Sequence, residues 1–170
     1  MTRTAIVVAA VIAAWTALPA QAEDVTLGSL KISAAWARAT PKGASVGGGY
    51  MKITNTGAAP DRLIGGSTDV ASRFEIHEMK MDNGVMKMRP VTDGLEIKPG
   101  QTVELKPGGY HAMLVGLRQQ LEQGQHFKAT LEFVKAGKID VNFAVEGIGA
   151  QSPASAGGGA MPGMGGMKMK

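Results

Sequence analysis

Arg73-Phe74-Glu75-Ile76-His77-Glu78-Met79-Lys80-Met81-Asp82-Asn83-Gly84-Val85-Met86-Lys87-Met88 decides the fold class. Side chains alternate faces along a strand, so Phe74 and Ile76 share one face and His77, Met79 and Met81 the other. The apolar pair marks the core side. Asn83-Gly84 is the dipeptide that closes a two-residue hairpin, and Val85-Met86-Lys87-Met88 resumes as a second strand with Met86 and Met88 on one face. This is a β-hairpin whose non-core face carries His and Met.

The same grammar extends outward. Val25 to Ile32 mixes β-branched and polar residues, and Tyr50 to Thr54 alternates until Asn55-Thr56-Gly57. Arg62-Leu63-Ile64 stops at Gly65-Gly66, and Pro99-Gly100 and Pro107-Gly108-Gly109 mark turns. Gln125 to Val134 and Ile139 to Val145 flank a hairpin turn at Lys135-Ala136-Gly137-Lys138. No stretch holds a helical period with caps. Many short strands between turns indicate an all-β sandwich or barrel. Trp36 is expected in the core, and His126 at a solvated strand start.

The ends differ from this body. Arg3, an apolar run from Ala5 to Leu18 and then Pro19-Ala20-Gln21-Ala22 form a secretory signal peptide over residues 1–22. The run falls short of the roughly 20 residues of a membrane span, so no stable membrane insertion is expected after cleavage. The domain is then 23–148, in the periplasm. Residues 149–170 run through Ser, Pro, Ala and Gly to Met161, Met164, Met167 and Met169, and are expected to be a flexible, disordered Met/Gly-rich tail.

Composition narrows the chemistry. The 170 residues include 24 Gly, 11 Met, three His and no Cys. Without Cys there are no disulfides, zinc–thiolate sites, iron–sulfur clusters, thiol catalysis or blue-copper centre. Removing Arg3 leaves 17 basic against 14 acidic residues, a charge of about +3 with no polybasic run, which gives no reason to expect nucleic acid.

A second His lies in Tyr110-His111-Ala112-Met113-Leu114, where His111 and Met113 share a face about 6.6 Å apart along the strand. Imidazoles with thioethers suit soft Cu(I) far better than Mg, Ca or Mn, and zinc sites do not use Met. A single strand His is ordinarily a surface residue, and a single Met a core filler. Two His-x-Met pairs on non-core faces, His77-Glu78-Met79 and His111-Ala112-Met113, turn the balance toward a metal site. The four tail methionines make a second copper site there plausible. No constellation supports an enzyme.

These residues resemble the periplasmic copper chaperones that supply the CuA site of cytochrome c oxidase (PCuAC-like). The matching stretches are Ala35 to Pro41, Asp61-Arg62-Leu63, His77-Glu78-Met79, Gly84 to Arg89 and Pro107 to Leu114, within a span from Leu27 to Val145. The resemblance implies a cupredoxin-like β-sandwich (Greek key) and copper ligands at His77, Met88, His111 and Met113. Ten residues separate His77 from Met88, and 22 separate Met88 from His111, one more than the family spacing. Met86 is therefore a rival for Met88, with Met79 and Met81 behind it. The implied function is Cu(I) delivery by ligand exchange to an oxidase assembly protein or oxidase subunit II, with a Sco-like protein as another partner. Glu78, Lys87 and Arg89 would steer docking. The alternatives are a periplasmic copper buffer or resistance protein, and a metal-free β-sandwich binding module.

Overall fold

The computed structural model describes residues 24–154. The expected signal peptide at 1–22 and the methionines of the tail lie outside the described residues. Eleven strands follow one another, with no α-helix among the described residues. They are β1 Val25–Leu27, β2 Leu30–Arg38, β3 Val46–Asn55, β4 Asp61–Thr68, β5 Ala71–Asp82, β6 Val85–Pro90, β7 Leu95–Ile97, β8 Thr102–Leu105, β9 Tyr110–Leu117, β10 His126–Phe133 and β11 Gly137–Glu146.

Hydrogen bonding runs β2-β11-β10-β4-β5-β9-β3, and β3 pairs again with β2, so the sheet closes on itself. The all-β sandwich of the sequence reading is thus a closed, flattened barrel. Closure leaves no free edge along this ring. Only β11 against β2 is parallel, Ala144 facing Trp36. Alternate residues point inward, and Ile32, Ile53, Phe74, Ile76, Leu114, Leu131 and Phe143 belong to one buried cluster. Area removed from water is worth about 25 cal/mol per Å², so this cluster is the main stabilising term.

Two stretches depart from the sequence reading. Val25 to Ile32 is a hairpin rather than one strand, because Gly28 adopts φ 57° and turns the chain between β1 and β2. Gly65-Gly66 does not end β4. The strand runs through both, and a register shift beside Glu132 and Phe133 of β10 absorbs the irregularity. At Gly66 a Cβ would stand 2.6 Å from the Thr130 carbonyl oxygen, so a strand bearing side chains could not approach β10 this closely.

Three features of this frame position the outer face of β5, β6 and β9. The Asn83-Gly84 turn has φ 51° and 78°, the paired positive values of a type I′ turn, and locks β6 against β5 with Met79 opposite Met88 and Met81 opposite Met86. In the next strand pair, β9 sets Ala112 opposite Ile76 and His111 opposite His77. On β3, Gly48 stands opposite Met113. Nearby, Trp36 and Tyr50 form a cross-strand pair with ring centroids 4.4 Å apart. Trp36 is buried as expected, although on the outer face rather than in the central cluster. His126 opens β10 exposed to solvent.

A Cβ at Gly48 would lie 2.8 Å from the Tyr50 hydroxyl, which Trp36 helps hold in place. Gly48→Ala should therefore destabilise the domain by about 1–3 kcal/mol in chemical denaturation. An unchanged midpoint would show that Tyr50 can move aside freely.

Candidate metal centre

The outer face of β6, β5 and β9 brings the expected donors together. His77 and His111 are direct cross-strand partners, with ring centroids 5.9 Å apart. Met79, Met88, His111 and Met113 line one cleft of about 220 Å³, together with Arg38 and Tyr50. His77 flanks it through its pairing with His111. In the register, the two histidines form a central row. Met79 and Met88 lie one step toward the hairpin turn, and Met113 lies one step the other way, opposite Glu75. A step of two residues is about 6.8 Å, within reach of long, flexible thioether side chains.

Met86 does not line this cleft. It faces Met81 nearer the hairpin tip. Register therefore places Met88, with Met79 beside it, next to the histidines. Met161, Met164, Met167 and Met169 lie outside the described residues.

The hydrogen bonds fix which ring nitrogens are free. His77 Nε2 is 2.9 Å from Glu75 Oε2. A carboxylate only accepts, so Nε2 is the donor, and Nδ1 is the ring nitrogen left for another partner. That Nδ1 is buried and has no protein partner. Likewise His111 Nδ1 donates to the Gly109 carbonyl at 3.1 Å, which leaves Nε2 as the free lone pair. Each imidazole therefore has one ring nitrogen engaged by the protein and one that is not. Holding the ring through its other nitrogen is how proteins orient metal-binding histidines.

Burial governs the charge state of His111. His111 is only 5% exposed. Burial holds its pKa below the usual histidine value, and the neighbouring His77 adds to that lowering against the opposing bond to Gly109. A neutral imidazole is the form that binds a metal. Around His77, Arg73 Nε lies 3.3 Å from Glu75, so an Arg73–Glu75–His77 chain runs along one face of β5. Among the described residues no group of three or more His, Cys, Asp or Glu gathers that could hold a metal. The potential donors lining the cleft are an imidazole and thioethers, a combination that fits a soft monovalent ion.

Sequence reasoning missed Glu75, Arg38, Tyr50 and Gly48. Glu75 was readable, since it sits two residues before His77 and so shares its face. Arg38 was not, because its place depends on barrel closure. Its guanidinium carbon lies 5.7 Å from the Tyr50 ring centroid, and its Nε donates to the Ala150 carbonyl at 2.7 Å. Glu78 and Arg89 face each other across the hairpin, and Lys87 bonds Asp82 at 2.7 Å. These charged residues alternate with the donors along β5 and β6.

A family profile described as LpqE-like lipoprotein matches residues 30–145. The chain belongs to the LpqE-like family. This LpqE-like chain is 36% identical over 104 residues to Lxx21020 of Leifsonia xyli subsp. xyli, a protein named as a lipoprotein, and spans 61% of that protein's length. Among solved structures it is similar to the copper-bound PCuAC domain from PmoF2, with 29% identity and a TM-score of 0.63 over 74% of this chain and 98% of that one. It is also similar to the solution structure of CuI-DR1885 from Deinococcus radiodurans, with 29% identity and a TM-score of 0.51 over 75% of this chain and 81% of that one. The LpqE-like barrel is therefore the PCuAC fold, the cupredoxin-like architecture that the family resemblance implied.

The lowered His111 pKa has a stability consequence. Below the unfolded-state value of about 6.5 the unfolded chain takes up this proton before the folded one does. The His111 contribution is thus complete above that pH and falls away as pH drops through the folded value. The metal-free protein should melt lower at pH 5 than at pH 7, and His111→Gln should flatten that slope. A slope unchanged in the variant would assign the acid sensitivity elsewhere.

Proposed function

We propose that this LpqE-like protein is an exported Cu(I) metallochaperone that hands its ion by ligand exchange to the CuA site during cytochrome c oxidase assembly. The observation that carries the reading is the paired histidines, each held through one ring nitrogen, beside a cleft lined by Met79, Met88 and Met113. The proposed ligands are His77, Met88, His111 and Met113, with Met79 as an adjacent thioether. The copper-bound titles of two similar domains support copper as the ion. The lipoprotein names of relatives support a place in the cell envelope, and the N-terminal sequence supports the periplasm.

The donor chemistry suits carriage rather than catalysis. Imidazole and thioether donors are neutral, so they leave the ion's single charge in place and disfavour a doubly charged one. Thioethers carry no proton, so their exchange needs no proton transfer. Met88 is 47% exposed, which lets an incoming ligand reach the ion while the buried His111 still holds it. Oxidase subunit II, an oxidase assembly protein or a Sco-like protein would be the acceptor.

A second reading, a copper buffer, draws on the four tail methionines. Deletion of the gene separates the two. Loss of oxidase copper at low external copper supports delivery, whereas sensitivity only at high copper supports storage.

A Cu(I) competition titration against a colorimetric chelator tests the site itself. One tight equivalent is expected. His111→Ala and Met113→Leu should each lower affinity about tenfold or more, which is ~1.4 kcal/mol per tenfold step. Affinities within twofold of wild type for both variants would remove the site from this face.

A further inference from the structure

The β5–β6 hairpin carries more thioethers than the cleft uses. Met81 and Met86 face each other one register step beyond Met79 and Met88, on the same side of the hairpin. Neither fills a core: Met81 is 59% exposed and Met86 48%. Every residue of β6 is exposed, so this strand buries no side chain of its own. Exposed methionines on an unburied strand lack the usual packing role of the residue. The type I′ turn fixes them opposite each other, with side-chain origins about 5 Å apart, a span that one ion held between two sulfurs bridges readily. Met81 also borders a cleft whose other lining residues, Glu78, Lys80, Asp82, Lys87 and Arg89, are charged. Lys80 and Lys87 form the intervening cross-strand pair and point to the reverse side, where Lys87 is tied to Asp82.

We propose that Met81 and Met86 form a second, outer Cu(I) site of lower affinity, through which the ion enters and leaves the central one. The proposal rests on the central site described above. The ion moves about 6.8 Å along the hairpin, from the Met81–Met86 pair to the Met79–Met88 pair. Each move makes one sulfur–copper bond as another breaks. Copper stays Cu(I) throughout, and no proton or electron is exchanged. Two thioethers without an imidazole bind more weakly than the central set, which directs the ion inward when the centre is empty and leaves it outward for an acceptor when the centre is full.

The test uses the full chain labelled with ¹³C-methyl methionine, titrated anaerobically with Cu(I) and followed by NMR. The first equivalent should shift the methyls of Met88 and Met113. Further Cu(I) should shift Met81 and Met86 together. The double variant Met81→Leu/Met86→Leu, which keeps the apolar character, should leave the first equivalent's affinity unchanged and slow its removal by a chelator several-fold. If Met88 and Met113 respond while Met81 and Met86 stay still through three equivalents, or if removal is as fast in the variant, the outer site is overturned and the central one stands. If none of the four methyls moves, the central reading itself fails.

Discussion

The site depends on the register between β5 and β9. His77 and His111 are remote in sequence and meet only because these antiparallel strands pair without a slip. A slip of one residue would turn one histidine to the opposite face. What holds the register is the core side of the same strands, where Phe74 lies opposite Leu114 and Ile76 opposite Ala112, all buried. Hydrophobic burial on one face of the sheet thus specifies donor geometry on the other. The hairpin adds its own lock, since Asn83-Gly84 permits only a two-residue turn and so dictates which methionine of β6 stands beside Met79.

Hydrogen bonding then refines what pairing sets. Glu75 and the Gly109 carbonyl each engage one ring nitrogen, so the atoms left unengaged differ, Nδ1 of His77 and Nε2 of His111. The unpartnered His77 Nδ1 is an open polar cost in the protein alone. A buried polar atom without a partner costs about 1–3 kcal/mol, and the proposed ion would remove that cost. The wall opposite is built from Gly48, Tyr50 and Arg38. In that wall Tyr50 packs against Trp36, and Arg38 is bonded to the Ala150 carbonyl.

Much of this was legible in the residues themselves. Alternation from Arg73 to Met81, the Asn-Gly turn and the two His-x-Met pairs gave the strands, the hairpin and the shared face. The pairing of Met88, rather than Met86, with Met79 was also readable in principle, because a two-residue turn at 83–84 forces Met88 opposite Met79. Counting residues between motifs obscured that, since spacing says nothing of register. Other features were beyond sequence reading. Gly28 turning between β1 and β2, and β4 running through Gly65-Gly66, depend on partners that only the closed barrel supplies. The same is true of Arg38, which reaches the cleft because β2 lies beside β3 after closure.

The central claim is that one Cu(I) ion is held jointly by imidazole and thioether on this face. X-ray absorption spectroscopy of the protein loaded with one equivalent of Cu(I) tests it most directly. The account predicts a mixed shell of nitrogen and sulfur scatterers, with the nitrogen contribution reduced in His111→Ala. A shell of sulfur alone, unaltered by that substitution, would place the ion on methionines elsewhere in the chain and contradict it.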